Sequence, residues 1–458
     1  VTMLAAGTLA ASKVESVIGS DSTSTDDVLR LLGAGTTAVS AIESVVGGTA
    51  VDVVTMLAAG DLSVSAVDTL VGTTGTDTAT LLGAGTTAVS AIESVVGNTS
   101  TGDIARMLAS GSVSVSAVET VLGFTGTDTV TMLGAGTVAA SSVESVIGSD
   151  STTTDDVLRV LGGGTASISA VESVLGSTAT DTVSMLASGD LAVSAVDTVI
   201  ANTGTDTVTM LGAGSMAVSA VETVTGSAAA TDIVTMLGGG ALATSAVETV
   251  LGGTGTDSVT MLGAGTLAAS AVESVIGSNS TTTDDVLRLL GATTTSVSAI
   301  ETVTGSTGTD SVTLLDAGTL AASNVETVVG SNSTSTDDVL RILGAGSTSI
   351  SAVETVIGVT ADETVTMLAA GDVSASAIDT VIGSSGTDSL TMLGAGTVEV
   401  SRIETVVGNT SSGDVVSMLG AGGLSLSAVE TVLGSASTDT VTMLAAGTLA
   451  ASKVESVI

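Results

Sequence analysis

Residues 253–277 read Gly-Thr-Gly-Thr-Asp-Ser-Val-Thr-Met-Leu-Gly-Ala-Gly-Thr-Leu-Ala-Ala-Ser-Ala-Val-Glu-Ser-Val-Ile-Gly. The same Val-Thr-Met-Leu slot at 129–133 places Val130 and Met132 on one face and Thr129 and Thr131 on the other. That is the period of two expected of a strand with one face buried. Val and Thr favour strands, and Gly and Ser clusters bound each run at short intervals. One such segment has too few apolar side chains to fold alone, whereas stacked segments bury a shared core, which is the logic of a solenoid.

The segment recurs along the whole chain. Ser-x-(Val/Ile)-(Glu/Asp)-(Ser/Thr)-(Val/Leu) appears 18 times. Its acids Glu15, Glu43, Asp68, Glu93, Glu119 and Glu144 span one cycle of five unequal intervals, and the same cycle runs again from Glu144 to Glu273. The unit is about 25 residues, inside the range of solenoid repeats, and the five-interval cycle is a longer super-period laid over it. No change of composition marks a domain boundary, so residues 1–458 read as one continuous repeat array. Residues 1–18 are identical to residues 441–458, which suggests a window cut from a longer repetitive protein.

The expected fold is therefore all-β. It is a parallel β-solenoid of about 18 turns of ~25 residues, each turn three-sided, with like residues stacked at ~4.8 Å. A second reading stays open, a solenoid of short capped helices. Ser270 with Glu273 fits a capping box, Gly277 fits a helix stop, and Thr283–Gly291 resembles a short capped helix. Against it stand the many Thr, Val, Ser and Gly residues, which are poor helix formers.

Composition excludes much chemistry. The chain of 458 residues holds 47 acids against 8 bases, a formal charge of −39. It has no Cys, His, Pro, Trp or Tyr, and its one Phe, Phe124, sits in a turn and is expected at the surface. Without Cys and His there is no thiol or imidazole catalysis, no disulfide and no zinc site of the usual kind. The negative charge argues against nucleic acid and anionic membranes as partners. No apolar run approaches the roughly 18 residues that would suggest a membrane-spanning helix, so no transmembrane segment is expected. Gly-Ala-Gly after Met-Leu lacks the Lys of a phosphate loop and reads as a tight corner. Nothing suggests an enzyme.

Gly252-Gly-Thr-Gly-Thr-Asp-Ser-Val-Thr260 fits the nonapeptide G-G-x-G-x-D-x-U-x and resembles the repeats-in-toxin family of bacterial secreted proteins. Looser copies begin at Gly72, Gly123, Ala201, Gly305 and Gly383. The resemblance implies a secreted bacterial chain whose parallel β turns bind calcium. Carried over position by position, the ligands would be Asp77, Asp128, Asp206, Asp257, Asp310 and Asp388. The sequence departs from the family in having one motif per repeat rather than tandem copies, and Ala179 and Ala230 replace the loop glycine in two repeats. A simpler role for each Asp is to close a turn by accepting backbone N–H bonds.

Two further patterns bear on function. If turns stack once per repeat, the recurring Glu column brings carboxylates together, and salt screening, hydrogen bonds or divalent cations must offset their repulsion. Arg30, Arg159, Arg288 and Arg341 recur in the Asp-Asp-Val-Leu-Arg of the longer repeats, either pairing locally or setting register between neighbouring chains. The expected function is an extracellular structural protein, a stiff repetitive rod that self-associates into, or supports, a surface filament, sheath or surface layer. The alternative is a calcium-binding secreted adhesin or toxin repeat region carrying a separate functional domain.

Overall fold

The computed structural model describes residues 1–458 apart from 22–24, 152, 229, 230, 332, 334, 360 and 361. The chain divides into two units, Val1–Ala229 and Ala230–Ile458. Both are all-β, and among the described residues there are 53 strands and no helix. Among the described residues no helix is long and apolar enough to cross a membrane.

Each repeat supplies three strands. In one repeat of the second unit these are Asp257–Met261, Thr266–Ser270 and Ser274–Ile276. The strands pair in parallel with the second strand along rather than the next one. Val259 stands beside Val275, and Leu267 beside Leu287 of the strand Val286–Leu289. The first unit follows the same rule, with Val113 beside Val130 and Val130 beside Val146. Successive strands therefore alternate between two facing sheets, and two strands complete a coil.

This corrects the expected turn. A repeat of three strands wound on two sheets makes one and a half coils, so the described strands make about 26 coils of two strands, not 18 turns with three sides. Like residues of successive repeats fall on opposite sheets and return to the same sheet only every three coils, ~14 Å apart. The recurring Glu side chains accordingly form no column at ~4.8 Å. The segments that fitted capped helices are strands and corners: Val286–Leu289 is extended, and Ser270 ends a strand.

The core explains why two sheets suffice. The inward residues are mostly Val, Leu, Ala and Met. Val250, Val259 and Val275 are fully buried and Met261 nearly so. Two sheets packed about 10 Å apart are filled by side chains of this size. The expected alternation holds in the strand Thr129–Met132, where Val130 and Met132 are buried and the two Thr are not. Leu262, one residue past Met261, therefore turns outward and is 55% exposed.

Three corners join the strands of a repeat. Residues 262–265 link the first strand to the second, and residues 271–273 link the second to the third. The remaining corner, opened by Gly252 or its equivalent, leads into the strand that starts at the buried acid. It absorbs the length differences: Gly47 precedes Asp52 by five residues, Gly97 precedes Asp103 by six, and Gly19 precedes Asp27 by eight. The longer repeats thus carry longer loops on one unchanged coil.

The short corner reverses the chain through one left-handed residue. Ala271 has φ 53°, and eighteen non-glycine residues occupy this slot at φ 51–57°, mostly Ala but also Lys13, Ser142, Asn324 and Arg402. The left-handed region costs a residue with a Cβ about 1–2 kcal/mol. Ala271→Gly removes that cost and adds about 0.5–1 kcal/mol of chain entropy loss. The expected net is a modest stabilisation, read as slower amide hydrogen exchange at residues 270–276; faster exchange there would show that the corner carries no such strain.

Candidate functional site

The most elaborate constellation in the fold is the acid at which one strand of each repeat begins. Seventeen of these acids, from Asp27 to Asp439 and including Glu363, are no more than 1% exposed. Burying a carboxylate is costly unless hydrogen bonds replace its water. Here they do. Asp77 Oδ2 accepts the Thr73 N–H at 2.6 Å and the Thr73 hydroxyl at 2.9 Å, and Oδ1 accepts the Gly60 N–H at 3.0 Å. The Asp77 N–H donates to Glu93 Oε2 at 2.8 Å, and the Asp77 carbonyl accepts the Glu93 N–H at 3.1 Å. One aspartate thus closes its own corner and ties it to the coil before and the coil after.

The glycine that opens the corner makes the approach possible. A Cβ on Gly252 would run into the carbonyl oxygen of Ala271 and lie 2.9 Å from Asp257 Oδ2. The next residue then points its N–H at the acid, as Gly253 does to Asp257 at 2.7 Å and Ser384 to Asp388 at 2.6 Å. Ala201 occupies this glycine slot. In that corner Asp206 Oδ2 and Asn202 Nδ2 are both buried without a partner. The missing bond and the added methyl occur together, which identifies close backbone packing as the reason for glycine. Ala201→Gly is expected to restore the Asn202 N–H to Asp206 and stabilise the corner by about 1–3 kcal/mol. Slower exchange of the Asn202 amide is the readout, and an unchanged rate would contradict the explanation.

The six aspartates singled out by the family resemblance all lie in this set. Asp77, Asp128, Asp257, Asp310 and Asp388 each accept hydrogen bonds on both carboxylate oxygens. Asp206 accepts one on Oδ1, from Gly189 at 2.9 Å. These bonds are those of a turn-closing acceptor. Among the described residues no group of three or more acids is placed to share a metal ion. Ala179, in place of the loop glycine, does not prevent closure, because Ser177 still donates to Asp181 Oδ2. Ala230 lies outside the described residues.

The nonapeptide marks six of these acids and passes over the others. A broader signal was present in the sequence: most of them stand one or two residues before a Val-Thr-Met or Val-Leu-Arg run. The left-handed slot has no comparable signal, and Asn324 is its one clue. In the longer repeats Asp27 lies inside and Arg30 outside, so the buried acid is not the arginine's local partner.

Hydrogen bonding lowers two of the acids. Burial acts to raise Asp27, but the Ser20 N–H, the Ser20 hydroxyl and the Gly7 N–H outweigh it and hold the carboxyl below its ordinary value. Glu430 is lowered by the N–H groups of Asp414 and Gly413, against a smaller effect of burial. A lowered carboxyl stabilises the fold at pH above its unfolded value, about 4. That contribution is lost as pH falls through the folded value. Acid titration followed by amide shifts should therefore move Ser20 and Gly413 only below about pH 4; movement confined to higher pH would contradict the bonding.

Comparison with known proteins finds no matching family model, no similar curated protein and no similar solved structure.

Proposed function

We propose that the chain is an extracellular structural protein, a stiff repetitive element that self-associates into, or supports, a surface filament, sheath or surface layer. The observation that carries this reading is repetition: the same buried-acid corner recurs from Asp27 to Asp439. Corner after corner spends its most reactive side chain, a carboxylate, on holding the coil together. What the coils present outward is equally regular. Ser and Thr stand on the sheet faces, and a half-exposed leucine recurs at the edges, as at Leu57, Leu133 and Leu262. Leucines at this exposure gain by being covered, and the charge of −39 opposes contact between copies until it is screened.

Self-association should therefore depend on ionic strength. Sedimentation of the full chain is expected to give monomer in low salt. Larger, ordered assemblies visible by negative-stain microscopy are expected above about 0.15 M salt, where the Debye length has fallen to ~8 Å. Monomer at every ionic strength, with sodium or calcium chloride, would overturn the assembly reading. Assembly that needs calcium and reverses with chelator would favour the calcium-binding secreted repeat instead.

A further inference from the structure

The charge of −39 is not spread evenly over the coils. In the first unit, nine neighbouring strands of one sheet, from Thr78–Leu81 to Ser215–Ser219, pair in an unbroken parallel series. Their outward positions hold only Ser, Thr, Ala, Val and Ile, and none is charged. The other sheet of the same coils turns Arg106, Arg159 and Asp190 outward, all exposed. The acids that flank the uncharged face sit in corners, with carboxylates turned to backbone N–H groups, as Glu144 is to Asp128.

The uncharged face is also ridged. Leu133 follows the strand Thr129–Met132 and keeps to its ladder, its N–H on the Val115 carbonyl at 2.8 Å. Ile147 of the next strand stands beside Thr131, diagonal to Leu133 and within side-chain reach. Leu82 with Val96, and Leu186 with Ile200, repeat the arrangement three coils to either side, ~14 Å away. All of these but Val96 are at least 38% exposed, so nothing in the chain covers them. Between the pairs lie the strands Ser112–Ser116 and Gly164–Ser169, which turn out only Ser and Thr. The second unit has a face of the same kind. Nine strands from Gly240–Ser245 to Thr380–Ile382 turn no charged residue outward. There Thr260 stands beside Ile276, Thr313 beside Val329 and Thr366 beside Ile382, with a half-exposed leucine two residues past each Thr. Asp316, in a corner at the margin, accepts the Ser298 hydroxyl at 2.7 Å.

We propose, resting on the self-association reading above, that these two faces are the contacts between copies of this chain, each packing on the same face of a second copy. A second copy carries the same excess of acid, so close approach is least opposed where neither copy presents a carboxylate. A two-fold axis parallel to the strands brings the ridged margins of two copies together and seats the apolar pairs of one over the Ser and Thr strands of the other. The spacings match because both surfaces are the same surface. Nine strands ~4.8 Å apart and about five residues long cover roughly 600 Å² per copy, the lower bound of a specific pair. Two faces per chain carry assembly beyond a pair.

Sedimentation velocity of the full chain above about 0.15 M salt tests this. Thr131→Glu with Ser167→Glu charges the first face, and Thr313→Glu with Ser349→Glu charges the second. Ser141→Glu with Ser173→Glu charges the opposite sheet of the first unit as a control. Parent and control are expected to form assemblies larger than dimers. A chain charged on one face should stop at dimers, and a chain charged on both should be monomeric, each with the parent's β circular dichroism spectrum. Larger assemblies or monomers from a chain charged on one face, association of the chain charged on both, or an equal loss in the control would overturn the proposal. If the charged chains do not fold, Leu133→Ser with Ile147→Ser decides. Assemblies beyond the dimer should then need about tenfold more protein, and an unchanged requirement would overturn the proposal. A parent that is monomeric at every ionic strength would remove the self-association reading itself, and these contacts with it. Retention of that monomer on crystalline cellulose, lost when both faces are charged, would give the faces to a flat polysaccharide surface instead.

Discussion

A carboxylate removed from water must find hydrogen-bond donors in the fold, and here that requirement recurs in nearly every repeat. The acid at the head of its strand collects N–H groups from its own corner and from the preceding coil, while its own N–H satisfies a glutamate of the following coil. Backbone pairing holds coils together along the strands. The acids do so at the corners, where a ladder would otherwise fray. Much else follows from this. The glycine that opens the corner, the Ser or Thr after it, and the glutamate of the following coil each have a place only because the acid is there.

The same arrangement explains how so plain a composition yields a definite fold. The core is thin and built of small aliphatic side chains, so packing alone specifies register weakly. A buried charge with directional partners specifies it strongly. A slip in register would strand the acid among apolar side chains with no donor, at a cost on the order of several kcal/mol. The longest repeats show what is free to vary: Asp27 and Asp285 keep their partners although their loops carry three more residues.

Strands, their inward faces and the surface position of Phe124 were legible in the sequence, because alternation is a local property and Val-Thr-Met states it plainly. The number of coils was not. A sequence period equals a coil only if the corner angles make it so, and the reversal at Ala271 depends on a left-handed alanine that no propensity scale favours. The likeness of Ser270-x-x-Glu273 to a helix cap misled for a related reason. The partner of that glutamate is the N–H of Asp257 in the preceding coil, and only the folded chain brings the two within 2.7 Å. The nonapeptide likewise singled out Asp257, but the donors that fill its two carboxylate oxygens, the Gly253 and Gly240 N–H groups, come together only in the folded chain.

The most direct test is native-state hydrogen exchange on Asp257→Asn in the presence of a calcium chelator. An amide in place of the carboxylate turns a donor toward either the Gly253 or the Gly240 N–H, so protection should fall at one of these two amides by the equivalent of about 1–3 kcal/mol, with distant coils unchanged. Chelator alone should leave the parent chain's protection intact. Unchanged protection in the variant, or a general loss of protection in the parent on chelation, would contradict the claim that buried acids saturated by the backbone hold the coils together.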